Sequence, residues 1–257
     1  MTFDDDQLER YARHIVLREI GGRGQQNLTK ARIVCIGAGG LGSPALMYLA
    51  AAGIGTLGIV DDDLVSLSNL QRQIMHDTVS VGTPKTKSAQ KTLNRVNPHV
   101  NVVRHTERLM QDNATEILKN YDLVLDGCDN FATRSLVNQI CFNLGVPLIS
   151  GAITQWEGQV TLFDPSKGSP CYACIFPKEP EDGLAPSCAE AGVVGALAGI
   201  IGSMMATEAI KHITGAGQTL AGDMILHDAL WGESRKMKLT RDASCPVCSQ
   251  KKPKQER

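Results

Sequence analysis

Ile33-Val34-Cys35-Ile36-Gly37-Ala38-Gly39-Gly40-Leu41-Gly42, followed by Ser43-Pro44-Ala45-Leu46, decides how this chain is read. Four apolar residues in a row suit a strand buried on both faces, as in a parallel sheet covered by helices. The glycines let the backbone turn sharply and come close to a phosphate. The helix expected over Ser43–Ala52 adds unpaired N–H groups and a partial positive charge at its start. A G-x-G-x-x-G pattern carries meaning in this strand, turn, helix setting. Asp61 closes the next strand, Leu57–Val60, and stands 19 residues after Gly42, where a carboxylate can accept hydrogen bonds from ribose hydroxyls. Gly37, Gly39, Gly40, Gly42 and Asp61 are therefore candidate nucleotide-binding residues. The competing reading is a tight turn in a parallel sheet with no ligand.

Outward from this stretch, no charged residue occurs across the 28 positions from Ile33 to Val60. That length would cross a bilayer, but seven glycines and Pro44 interrupt it. Helix over Pro84–Arg95, strand over Val100–His105, helix over Asp112–Lys119, strand over Leu123–Leu125, helix over Ala132–Leu144 and strand over Leu148–Ser150 follow in turn. The alternation predicts an α/β fold: a Rossmann-like, mostly parallel sheet with helices on both faces. Gly158–Asp164 alternates polar with apolar residues and predicts a half-exposed strand, so antiparallel strands are expected in the C-terminal part. Ser166–Pro186 reads as a crossover loop. Ala191–Ile213 reads as a helix on which Gly192, Gly195, Gly199 and Gly202 form a stripe, serving either a subunit interface or internal packing.

Composition narrows the function. The chain has 257 residues, with 26 Lys and Arg against 27 Asp and Glu. Near-neutral charge argues against a nucleic-acid-coating surface. The acidic start, Met1-Thr2-Phe3-Asp4-Asp5-Asp6, is not a secretory signal, so a cytoplasmic protein is expected, with no membrane partner. Eight cysteines in a reducing compartment then suggest metal ligation or catalysis. Cys171-Tyr172-Ala173-Cys174 and Cys245-Pro246-Val247-Cys248 are two C-x-x-C pairs with 70 residues between them. Four such thiolates make a closed tetrahedral site for structural Zn²⁺, clipping the C-terminus to a distant loop. Cys35 and Cys141 read as small apolar fillers, and Cys128 is undecided. Cys188, just before a long helix, is a candidate nucleophile.

Further polar clusters follow Asp61. Ser66-Leu67-Ser68-Asn69-Leu70-Gln71-Arg72-Gln73 carries one arginine, and Thr83-Pro84-Lys85-Thr86-Lys87 sets lysines at a helix start, where they oppose the dipole and call for an anion nearby. Arg72 and Lys85 together suit a triphosphate, with Asn69 orienting it; each alone also reads as a solvated surface charge. In Asp126-Gly127-Cys128-Asp129-Asn130, Asp129 suits Mg²⁺ bridging ATP phosphates. The competing reading is a helix N-cap by Asp129 or Asn130. The glycine turn by itself also fits an NAD(P)-dependent oxidoreductase.

Taken in order, Arg10–Leu17, GAGGLG, VDDD at 60–63, SLSNLQRQ at 66–73, PKTKSA, LDGCDN, the first CxxC, SCAEAGVVG, TEAIK and the final CPVC resemble, over nearly the whole chain, the ubiquitin-activating-enzyme-like adenylyltransferases of bacterial sulfur transfer. The resemblance implies that ATP activates the C-terminal Gly-Gly carboxylate of a small ubiquitin-like sulfur carrier, giving an acyl-adenylate and pyrophosphate. Molybdopterin synthesis is the first expectation and the thiamine thiazole carrier the alternative, since both types share these motifs. By the same resemblance Gly40 and Asp61 hold the adenosine and Asn69, Arg72 and Lys85 the phosphates, with Ser68 and Asn130 also counted among the cofactor-binding residues. Asp129 takes the Mg²⁺, and Cys171, Cys174, Cys245 and Cys248 take the Zn²⁺. Arg13 would reach into a partner's site, implying a homodimer. Cys188 matches a crossover-loop cysteine that forms a covalent intermediate in some members and is dispensable in others. The expected organisation is a single adenylyltransferase domain, 1–250, with an N-terminal helical arm (1–30), a nucleotide-binding half (31–150), a carrier-binding half (151–250) and a disordered tail (251–257). A chain stopping at Arg257 without a rhodanese domain implies a separate sulfur donor protein. Two other classes compete: an oxidoreductase indifferent to Arg13, Arg72 and Lys85, and a zinc-stabilised scaffold that binds the carrier without catalysis.

Overall fold

A computed structural model describes residues 3–178 and 191–249. Its centre is one eight-stranded sheet in the order β3-β2-β1-β4-β5-β6-β7-β8. Strand β1 (Arg32–Ile36) pairs in parallel with β2 (Thr56–Val60) and β4 (Leu123–Asp126), β2 with β3 (Asn101–His105), and β4 with β5 (Leu148–Thr154). From β5 onward the sheet turns antiparallel, through β6 (Glu157–Phe163), β7 (Asp223–Asp228) and β8 (Glu233–Lys238). This is the Rossmann-like mixed architecture expected from the alternation of elements.

The uncharged strands have a simple cause. Ile33 and Cys35 of β1 point into one core, with Leu46 and Leu49 of α3 (Gly42–Ala51), Leu93 of α4 (Lys85–Val96) and Ile201 and Met205 of α8 (Gly195–Thr214). Val34 and Ile36 point to the other side, against α5 (Ala114–Leu118) and α6 (Phe131–Leu144), where Ile117, Val137 and Cys141 pack. Successive side chains of a strand face opposite ways, so burial on both faces demands apolar residues throughout. Cys35 and Cys141 are the apolar fillers expected of them. At the chain start, α1 (Asp5–Ile15) packs on α2 (Gly21–Lys30), which packs on α8. Short α7 (Tyr172–Ile175) begins just after Cys171 and contains Cys174.

The structure revises two expectations. β6 is not half-exposed, because Val160 and Leu162 pack against α8 on one face and Phe163 packs into the core on the other. The long helix begins at Gly195 and not at Ala191, because Gly192 takes a left-handed conformation (φ 76°) and Val193 bridges to Gln155. Gly192 therefore leaves the glycine stripe. Gly195 and Gly202 serve internal packing: a Cβ on Gly195 would lie 2.2 Å from the Gln71 carbonyl oxygen, and one on Gly202 would lie 2.5 Å from that of Leu41. Nothing lies within 4 Å of such an atom on Gly199. Gly202→Ala is thus expected to lose about 1–3 kcal/mol of stability by overpacking, while Gly199→Ala is neutral or slightly stabilising through helix propensity. Urea unfolding of the two variants checks this, and equal losses would contradict the packing assignment.

Candidate functional site

The strand order reverses between β1 and β4, and ligands of open α/β sheets bind at the carboxyl ends of strands flanking such a point. Here a crevice of about 1530 Å³ opens there, walled by Gly37, Gly39, Gly40, Asp61, Arg72, Lys85 and Asp129 among others. Gly37 has φ 93°, and a Cβ on Gly42 would sit 2.0 Å from the Gly37 carbonyl oxygen, so the turn exists only with glycine at both places. Gly39 and Gly40 differ from these. A methyl there would come no closer than 3.6 and 3.4 Å to its neighbours, so their bareness keeps the crevice open and not the turn closed. Helix α3 starts here with no side chain capping it; the Ser43 N–H donates to the Gly39 carbonyl at 2.9 Å and Pro44 has no N–H, so it is the glycine turn before the helix that lines the crevice.

Asp61 is bound into this turn. Its Oδ2 accepts from the Ala38 N–H at 2.8 Å and its Oδ1 from the Asp63 N–H at 2.9 Å. A carboxylate has about four acceptor sites, so both oxygens retain capacity for a ligand. Burial raises its affinity for a proton, opposed by the Lys85 ammonium and those two N–H groups. Lys85, expected to need an anion at its helix start, meets Asp63 at 2.7 Å, with its side chain only 7% exposed. Half-buried Arg72 donates to the Ser68 carbonyl at 3.2 Å and lays its stem beside Gly40. The Ser68 and Asn69 side chains do not line the crevice; both residues act through their backbone, Asn69 by accepting the Arg72 and Gln73 N–H groups.

Opposite, the LDGCDN segment separates its carboxylates. Asp126 is fully buried and accepts from Ser150 and Cys128, while buried Arg134 donates to the Cys128 carbonyl at 2.6 Å. Burial, then the Asp126 charge, push the Cys128 thiol well up, which makes it a poor nucleophile. Asn130 caps α6 by accepting from the Thr133 N–H at 2.9 Å, and Asp129 stays exposed on the crevice wall. A hard cation bridging phosphates needs such a carboxylate, and the donor set fits Mg²⁺. Arg13 is exposed on α1 and does not line this crevice. Cys188 and the tail 251–257 lie outside the described residues. Gln73 and His76, both buried beside the turn, were not singled out in the sequence: a glutamine and a histidine in a polar loop carry no signal of their own.

The two C-x-x-C pairs meet. All four Sγ atoms lie within 4.8 Å of one another, with 3.6 Å between Cys171 and Cys245 and 3.3 Å between Cys174 and Cys248. Four sulfurs bound at about 2.3 Å to one tetrahedral ion stand about 3.8 Å apart, so the cluster fits Zn²⁺. Burial raises the Cys171 and Cys174 thiols, a cost that a cation would reverse. Asn138 joins the cluster to the fold: its Nδ2 donates to Cys171 Sγ at 3.8 Å and its Oδ1 accepts from the Tyr172 N–H at 2.9 Å. The Tyr172 ring packs against Phe131, Phe163 and Phe176 and forms part of the crevice wall.

A glycine turn beside two cationic side chains at a sheet's reversal point is the setting in which α/β proteins bind nucleotides. The ThiF family profile matches residues 11–247, and the chain belongs to that family. It is similar to the "Sulfur carrier protein adenylyltransferase" of Thermus thermophilus, at 47% identity over 100% of this chain and 96% of the relative. The "Probable adenylyltransferase/sulfurtransferase MoeZ" of Mycobacterium tuberculosis is 46% identical over 94% of this chain and 62% of its own length. Among solved structures, E. coli MccB shares the fold with a TM-score of 0.82 at 21% identity, over 96% of this chain and 74% of that one. Among the described residues no helix is long and apolar enough to cross a membrane.

Two measurements test the site's chemistry. Treatment with a strong chelator should release about one zinc per chain and lower the melting temperature, as expected when folding and metal binding are linked; an unchanged melting curve in a metal-free sample would contradict a structural role. Burial also holds His76, His105 and His212 below the ordinary value of 6.5. The unfolded chain therefore takes up protons first, and the stability they contribute is complete above about pH 6.5 and lost as pH falls from there through their lowered folded-state values. Melting temperature should decline between about pH 7 and 5.5, above the range where carboxylates titrate; a flat profile would contradict the burial argument.

Proposed function

We propose that the protein adenylates the C-terminal Gly-Gly carboxylate of a small ubiquitin-like sulfur carrier with ATP and Mg²⁺, serving molybdopterin synthesis. The observation that carries this reading is one crevice combining a glycine turn, Arg72, Lys85 and Asp129, in a chain 47% identical end to end to a sulfur carrier protein adenylyltransferase.

The reaction joins two anions, a carboxylate and the α-phosphate. Positioning and opposing charge are therefore the main requirements, and no general base is needed because the carboxylate is already ionised at neutral pH. Asp61 receives the ribose while Gly39 and Gly40 let the phosphates approach the backbone. Lys85 and Arg72 oppose the triphosphate charge, with Lys85 shared between Asp63 and the nucleotide. Asp129 holds Mg²⁺, which supplies charge neutralisation across the phosphates. Ala152–Thr154 of β5, Glu157–Gln159 of β6 and Leu226–Asp228 of β7 also line the crevice, a sheet surface on which the carrier's tail can lie. Arg13, exposed and away from its own crevice, serves the partner's site in a homodimer. Cys188 acts after adenylation, with sulfur delivered by a separate donor protein.

A second reading, the same chemistry on the thiamine thiazole carrier, rests on the same motifs. ATP–pyrophosphate exchange run separately with a molybdopterin-type and a thiazole-type carrier separates the two, the first being expected to support faster exchange. No exchange with any Gly-Gly carrier, together with NADH binding, would replace the proposal by an oxidoreductase. Lys85→Ala and Asp129→Ala should each lower exchange by about 10²–10³-fold, the scale of losing one preorganised electrostatic contact. Cys188→Ala should leave exchange intact; its loss in a folded variant would place the thiol before adenylation.

A further inference from the structure

Both polar atoms of Ala38, which is fully buried, are held by side chains. Its N–H donates to Asp61 Oδ2 at 2.8 Å, and its carbonyl lies 2.9 Å from Nε2 of His76. His76 is 7% exposed, and its Nδ1 lies 2.9 Å from the Ser88 hydroxyl, one turn along α4 from Lys85. A carbonyl can only accept, so Nε2 carries the proton and the neutral ring's Nδ1 accepts from Ser88. The His76 backbone N–H donates to Gln73, closing the loop that bears Arg72. His76 thus joins three segments: the glycine turn, the Arg72 loop and the first turns of α4.

The peptide between Ala38 and Gly39 is trans, as are all those described. In a trans peptide the carbonyl and the following N–H point in opposite directions. With the Ala38 carbonyl fixed on His76, the Gly39 N–H is turned away from it, toward the crevice that Gly39 lines. We propose that His76 is a positioning residue that sets the Gly39 N–H as a donor to the nucleotide's phosphates without touching the nucleotide itself. This rests on the nucleotide reading of the crevice and adds to it a specific division of labour. Asp61 fixes the near side of the turn and serves the ribose, whereas His76 fixes the far side and serves only the phosphates.

The test compares ATP with adenosine, measured by equilibrium binding to the full chain. His76→Leu, close in volume but without a donor, should weaken ATP by about tenfold or more, the scale of one misplaced charge-assisted hydrogen bond. Adenosine affinity should stay within about twofold, since no phosphate is involved. In carrier-dependent exchange the KM for ATP should rise more than kcat falls. His76→Gln, whose Nε2 reaches the same carbonyl, should restore most of the ATP affinity. If the leucine variant does not fold, His76→Asn, which reaches Ser88 but falls short of Ala38, must show the same split. Equal weakening of ATP and adenosine, no weakening of either, or failure of Gln to rescue overturns the proposal while leaving the nucleotide reading intact. A wild-type chain that binds no ATP overturns both.

Discussion

The carbonyl oxygen of Gly37 and the α-carbon of Gly42 stand so close that no side-chain carbon fits between them. That contact forces the chain leaving β1 to turn at once into α3, and so fixes where the helix starts. Gly127 at the end of β4 lies against the same turn, its own Cβ position 3.3 Å from the Gly42 nitrogen. The two strands on either side of the sheet's reversal point are thereby held together by bare backbone. From the other direction, Gly202 of α8 meets the Leu41 carbonyl just as closely, so the turn is pinned by the C-terminal half of the chain as well.

Around this backbone the charges are arranged in pairs that leave some capacity unused. Net charge is −1, but the crevice gathers Arg72 and Lys85 on one wall and Asp61, Asp63 and Asp129 around them. A buried ammonium without a partner would be costly, and Asp63 supplies one in the absence of an anionic ligand. Arg134 lines the same crevice but is buried and held by the Cys128 carbonyl and the Asp126 charge, whereas Arg72 is half-buried. The distinction between the two arginines is one of burial and hydrogen bonding, not residue type.

The parallel half of the fold was legible because burial on both faces leaves unbroken apolar runs, and the glycine turn sits at the end of one of them. β7 and β8 were not legible for the opposite reason. Glu-Ser-Arg-Lys-Met-Lys of β8 is exposed along its whole length and lacks any apolar alternation, and β7 is strand only by virtue of its neighbours. The zinc ligands could be read from spacing, since two C-x-x-C pairs have few other uses. The crevice residues were legible as a set, yet the sequence could not say that Asp63 is the partner of Lys85 or that Asn130, not Asp129, caps α6. Both depend on distances between segments. His76 shows the limit most plainly: its role lies wholly in two contacts, one with residue 38 and one with residue 88.

Tyr172 follows one cysteine of the four-thiol cluster and precedes another by two positions, and its ring is also a wall of the nucleotide crevice. The four-thiol cluster and the crevice therefore share a structural element without sharing a ligand. Thermodynamics makes any coupling through it reciprocal: whatever the ion adds to nucleotide affinity, the nucleotide adds to the grip on the ion. A bound nucleotide would then help to hold the ion, and the ion to hold the nucleotide, each through the one ring.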